Sequence, residues 1–148
     1  MEREKEFIYF KKETFEHEID IKKESMQLSK FTSTLMDIIV IYRSNGGNLM
    51  ELKQNIEEIR GNNLKTELVI GDFNFCFLKD LSNPTRKYLK ENNFKQLVQE
   101  PTHIEGNLID QAHLRDVDGN HQYSMDLHSK YYTDHKALVL LVKRGIHI

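Results

Sequence analysis

Apolar and polar positions fall into short blocks along this chain, and each block predicts an element. "FIYFKK" (residues 7–12) and "FEHEIDIKK" (15–23) predict two strands, the second alternating as a half-buried strand does, with "KET" as the hairpin between them. "MDIIVIYRS" (36–44) has a continuous β-branched centre, the pattern of a strand covered on both faces. After "NGG" the period lengthens: Leu49, Leu52, Ile56 and Ile59 recur at helical spacing, with Asn48 as cap and Gly61 as stop. In "ELVIGDFNFCFL" (67–78), Val69 and Ile70 predict a buried strand running into Asp72, and Gly71 permits a close approach or a bend. "SNPTRKYLKENN" (82–93) predicts a helix with Pro84 in its first turn. "FKQLVQ" (94–99) and "NLIDQAHL" (107–114) predict strands joined by "EPTHIEG". "RDVDGNHQYS" (115–124) has loop chemistry, and "KALVLLV" (136–142) predicts a last buried strand.

Composition narrows this to one folded domain. At 148 residues the chain can bury a core but does not argue for two, and 39% hydrophobic with 30% charged residues excludes a disordered chain. It shows no repeat, low-complexity tract or linker. Strands mixed with a few helices predict an α/β or α+β sandwich. The formal charge of −2 gives no global attraction to nucleic acid or anionic membrane, so a polyanion site has to be local. No apolar run approaches the ~20 residues of a membrane span, and "MEREKEF" lacks a signal-peptide core. Cys76 has no cysteine partner for an internal disulfide. The expectation is an intracellular domain, nuclear or cytoplasmic, without a membrane partner.

Three polar groups stand at the ends of apolar strands: Asp72 with Asn74, Asp110 in "LID", and Asp134-His135 before "KALVLLV". Singly, each reads as a turn, a cap or solvated surface. Together, carboxylates, a carboxamide and a histidine make an oxygen-rich site for a hard divalent cation. In an extended chain Asp72 and Asn74 share a face, with Phe73 turned to the other. Mg²⁺ takes one or two protein carboxylates and shares the rest of its shell with phosphate and water. An imidazole beside it can act as general base or as a cationic partner of the transition state.

"ELVIGDFN", "IDQAHL" and "YYTDHKAL" together resemble the later motifs of the endonuclease/exonuclease/phosphatase superfamily, whose fold is DNase I-like. That family shows an apolar strand into Gly-Asp-Phe-Asn, a strand carrying Asp, and Ser-Asp-His before the last strand. Thr133 replaces the usual Ser here. "IVIYRSN" resembles the strand ending in Tyr-x-Pro-Asn, with Tyr42 and Asn45 matching and Ser44 in place of proline. "EPTHIEGNLID" resembles versions attached to retrotransposons. The resemblance implies a DNase I-like four-layer β-sandwich with flanking helices. It implies a divalent-metal phosphodiesterase using Mg²⁺ or Mn²⁺, and a mobile-element endonuclease with DNA ahead of RNA as substrate. Position by position, it implies that Asp72 aligns or deprotonates the attacking water and that Asn74 holds a phosphate oxygen. Asp134 serves the metal, His135 contacts the scissile phosphate, and Asp110 orients that imidazole. Tyr42 and Asn45 touch the phosphate.

The match covers residues from about 7 to the end but only the later part of the family domain, so the chain is expected to be a single domain over 1–148, incomplete at its N-terminus. The family's first strands and helix, including the metal-binding Glu, have no counterpart; Glu2, Glu4 and Glu6 read as surface charge. Such a loss impairs turnover and exposes a sheet edge open to self-association. Two alternatives follow: a weak or inactive remnant acting as a binding module, and a phosphatase of a small phosphoester. Cys76 reads as a small buried hydrophobe, and His103 as a loop residue within reach of substrate. His113, His121, His128 and His147 lack zinc spacing, and Arg86, Lys87 and Lys90 read as a solvated helical face.

Overall fold

The computed structural model describes residues 15–61, 64–103, 106–117, 119, 121–129 and 136–144, the last two stretches as strand backbone. Among these residues, eight strands and two helices follow in the order β1 (Glu16–Lys22), β2 (Met26–Thr32), β3 (Met36–Arg43), α1 (Leu49–Arg60), β4 (Thr66–Asp72), α2 (Pro84–Glu91), β5 (Lys95–Gln96), β6 (Asp110–Arg115), β7 (His121–Ser129) and β8 (Lys136–Arg144). The strand and hairpin expected over residues 7–14 lie outside the described residues. Among those described, no helix is long and apolar enough to cross a membrane.

Six strands form one mixed sheet in the order β1-β2-β3-β4-β6-β5, and β7 pairs with β8 in a two-stranded sheet. β3 and β4 are parallel, with α1 as their crossover, and β4 and β6 are antiparallel. Period-two alternation divides the large sheet's side chains between two cores. Met26, Leu28, Ile39, Ile41 and Val69 pack against Leu52, Ile56 and Ile59 of α1 and Leu89 of α2. On the opposite face Ile38, Leu68, Ile70, Ala112 and Leu114 join Leu97, Val98 and Leu108 from the long connection.

Both helices begin as their sequences require. The Asn48 side chain accepts from the Glu51 N–H at 2.9 Å, and Gly61 closes α1 at φ 62°. Asn83 accepts from the Thr85 and Arg86 N–H groups, with Pro84 beginning the helix. The far end of the sheet is tied by charge. Fully buried Glu67 accepts from Arg60 of α1 at 2.8 and 2.9 Å and from Arg115 of β6 at 2.7 and 3.0 Å. Arg60 also donates to the Tyr88 hydroxyl, joining α1 to α2. Burial works against the Arg60 charge, but its bonds to Glu67 prevail and hold its pKa above the ordinary value.

β1, β5 and β7 differ from expectation, and β2 covers residues for which the sequence predicted no element. β1 is exposed at nearly every position rather than half-buried, because it lies at the end of the strand order and bulges between His17 and Ile19. β2 breaks the apolar alternation at Lys30, whose buried ammonium donates to the Arg60 carbonyl at 3.2 Å. The strand expected over 94–99 shrinks to Lys95–Gln96, where the Gln96 side chain itself accepts from Val98 and Ala112 N–H groups. β7 begins inside the stretch expected to be loop, at residues 121–124, and its ladder to β8 rests on backbone pairing.

Candidate metal and phosphate site

The register of β3, β4 and β6 sets side chains in rows across the sheet. Ile38, Leu68 and Leu114 form one row and Val40, Ile70 and Ala112 the next. Two residues further on, the same face carries Tyr42, Asp72 and Asp110 side by side. An apolar surface therefore ends in a phenol and two carboxylates, at the C-terminal ends of β3 and β4 and the start of β6. Both carboxylate residues are only 6% exposed. Gly71 makes the approach possible: it sits at φ 148°, and a Cβ there would land on the Ile41 carbonyl oxygen of β3, with the carbonyl carbon 2.8 Å away.

Beyond Asp72 the chain leaves the sheet. The Asp72 Oδ1 accepts from the Asn74 N–H at 2.9 Å, and Asn74 adopts the left-handed conformation at φ 53°. Asn tolerates that region better than most residues, so the motif's second polar residue suits the turn as well as any ligand. The two residues are thus joined by a turn rather than by strand periodicity, while Phe73 is buried in the helix-side core as expected. Both neighbouring strands hold the turn. From β3, Arg43 Nε donates to the Phe73 carbonyl at 2.6 Å, one terminal nitrogen to Asn74 O at 2.7 Å, and the other to Gly47 O. On the β6 side, Phe73 N–H donates to Ile109 O, Phe77 N–H to Leu108 O, and Gln111 Nε2 to Phe75 O at 3.0 Å. Burial lowers the Arg43 pKa, opposed by the charges of Asp72 and then Asp80.

The "PTH" stretch has a structural role as well. Thr102 is buried, and its hydroxyl accepts from the Ile109 and Asp110 N–H groups at 3.2 and 3.0 Å, so it fixes where β6 begins. That bond shortens the strand expected over 107–114 to start at Asp110. Asn45 falls in the exposed turn after β3, closed by the Gly47 N–H to Ser44 O bond, and so lies outside the Tyr42–Asp72–Asp110 row. Asp134 and His135 lie outside the described residues. Arg86 stacks over Phe77 with its guanidinium carbon 4.0 Å from the ring centre and donates to the Phe77 carbonyl, whereas Lys87 stays exposed beside Glu91. Cys76 is half-buried, its sulfur 3.5 Å from the Leu108 nitrogen that donates to it.

Arg43, Thr102 and Gln111 are the site residues that sequence reasoning missed. Arg43 stands between Tyr42 and Asn45 and precedes a Gly-Gly pair, a signal that was available. The residues suit a hard cation: two adjacent carboxylates offer oxygen donors of the kind Mg²⁺ draws from protein. Among the described residues no group of three or more His, Cys, Asp and Glu gathers to hold a metal unaided.

No protein-family model and no curated protein matches this sequence. Solved structures do match. The endonuclease domain of TRAS1, a telomere-specific non-LTR retrotransposon, superposes with a TM-score of 0.64 at 12% identity, covering 88% of this chain and 67% of that one. The Haemophilus ducreyi cytolethal distending toxin gives 0.58 at 20% identity, covering 89% and 57%. An endonuclease/exonuclease/phosphatase family protein from Bacteroides thetaiotaomicron gives 0.54 at 9% identity, covering 90% and 68%. The chain thus spans little more than half of the toxin chain and about two thirds of the other two. With its mixed six-stranded sheet, its two helices and these superpositions, the chain has the DNase I-like α/β fold.

Proposed function

We propose that this chain is a divalent-metal-dependent phosphodiesterase, a DNA endonuclease domain of the mobile-element type. The observation that carries the reading is the Tyr42–Asp72–Asp110 row, which ends an apolar sheet face in oxygen ligands on three adjacent strands. The likeness to the TRAS1 endonuclease domain supports it from the side of the fold.

In this reading Asp72 takes a proton from the attacking water as its oxygen bonds to phosphorus and the bond to the leaving oxygen breaks. Asn74 and Tyr42 donate to phosphate oxygens, and Asn45 contacts the substrate from the turn after β3. His135 contacts the scissile phosphate through one ring nitrogen, with Asp110 accepting the N–H of the other and so orienting the ring. Asp134 would hold Mg²⁺ or Mn²⁺ beside the carboxylates of the row. When bound, that ion supplies charge neutralisation of the phosphoryl oxygens and the leaving alkoxide.

The test is nicking of supercoiled plasmid by the purified chain, with and without Mg²⁺ or Mn²⁺, beside a small phosphomonoester. The reading expects metal-dependent nicking that chelator stops and that Asp72→Ala and His135→Ala each abolish. Nicking that survives both substitutions, or hydrolysis of the monoester alone, contradicts it.

A further inference from the structure

Arg43 is a buried cation spent on carbonyl groups. Its guanidinium reaches the Phe73 and Asn74 carbonyls in the loop after β4 and the Gly47 carbonyl in the turn after β3. The chain makes room for it: a Cβ at Gly47 would stand 2.7 Å from the Arg43 Cγ, with the Ser25 carbonyl oxygen at 3.1 Å on another side. Ser25 in turn accepts from the Ser44 N–H at 2.8 Å, so the turn that seats Arg43 is itself anchored to the start of β2. Two segments some thirty residues apart are thereby locked through one planar fork, a geometry that lysine, with its single ammonium, cannot reproduce.

Its two partners in the loop after β4, the Phe73 and Asn74 carbonyls, lie on either side of the Asn74 N–H and Cα. The N–H of Asn74 donates to Asp72, and Asn74 holds a left-handed conformation that side chains rarely adopt. A segment in such a conformation persists when its surroundings over-determine it. We infer that Arg43 is a positioning residue, whose fork across the Phe73, Asn74 and Gly47 carbonyls fixes the Asp72–Asn74 turn and so aims both side chains into the site. This rests on the phosphodiesterase reading for its consequence in turnover, but not for its geometry.

The experiment compares the wild-type chain with Arg43→Lys and Arg43→Met by amide hydrogen exchange and by cleavage of a DNA duplex in Mn²⁺. The Asn74 N–H should exchange at least ~10-fold faster in both variants while the Val69 and Leu52 amides of the core keep their protection. Cleavage should fall about 10–100-fold in kcat, with KM within about threefold of wild type. Unchanged Asn74 exchange, or loss of Asn74 and core protection in equal proportion, overturns the inference. If Arg43→Met does not fold, Arg43→Lys carries the comparison. A wild-type chain that cleaves no duplex counts against the phosphodiesterase reading alone, and the exchange result still decides this one.

Discussion

Asp72 and Asp110 stand opposite each other in the antiparallel register of β4 and β6, both nearly buried. Like charges facing across a ladder are destabilising unless a cation or hydrogen-bond donors serve them. The Asn74 N–H already serves Asp72, and in the proposed reading a bound cation offsets the remaining repulsion. Their proposed roles differ, so their substitutions should differ as well. Asp72→Ala should abolish duplex cleavage. Asp110→Asn removes only the partner that orients an imidazole and should lower kcat about 10–100-fold. Steady-state kinetics of the two variants check the ranking.

Gly71 is the hinge on which the row depends. Gly71→Ala places a methyl against the Ile41 backbone of the neighbouring strand at φ 148°. Both the strain and the clash fall on backbone, which cannot swing aside. Destabilisation should exceed about 4 kcal/mol, visible in urea unfolding as a midpoint near zero denaturant or as insoluble protein.

Glu67 should matter to stability and not to chemistry, since it lies at the opposite end of β4 from Asp72. Its carboxylate is the shared acceptor of Arg60 and Arg115. Glu67→Gln leaves two largely buried guanidinium groups facing a neutral amide, and breaking such a pair costs about 3–5 kcal/mol. Denaturant unfolding should show that loss, while kcat of the folded fraction stays at the wild-type level.

His113 predicts a pH dependence. It is fully buried between Phe73 and Phe77, with ring centres at 5.3 and 5.7 Å, and its Nε2 lies 2.9 Å from the Gln111 Oε1. Burial, with a smaller contribution from the charge of Arg86, pushes its pKa down to about 3. The native state therefore favours neutral imidazole, whereas the unfolded chain takes up a proton near the ordinary histidine value. The resulting stability is fully present above about pH 6.5 and is lost as pH falls toward 3. Unfolding free energy measured from pH 7 to 4 should fall with decreasing pH, and His113→Leu should flatten that part of the slope. An unchanged slope contradicts the assignment.

Much of this was legible in the chain, and the failures have physical causes. The apolar runs of β3 and β4 and the Asn48-to-Gly61 frame of α1 identify themselves because burial and capping are local requirements. β2 hides because one of its inward positions is Lys30, whose ammonium meets the Arg60 carbonyl and the carboxylates of Asp37 and Glu18. Asp72 and Asp110 stand out as polar ends of apolar strands, but their facing register depends on β4 and β6 pairing across nearly forty residues of chain. The period-two argument for Asp72 and Asn74 stopped at the strand's last residue. Arg43 is the clearest omission: a charged residue closing a strand reads as solvent-exposed until the Phe73 and Asn74 carbonyls are seen to accept from it.

The most direct measurement is single-turnover cleavage of an end-labelled DNA duplex by the purified chain as Mn²⁺ is titrated, run in parallel with Asp72→Asn. The account predicts a rate that rises with Mn²⁺ and saturates for the wild-type chain, and none above background for the variant. A wild-type rate indifferent to the ion, or an Asp72→Asn variant that cuts as fast as its parent, would contradict it.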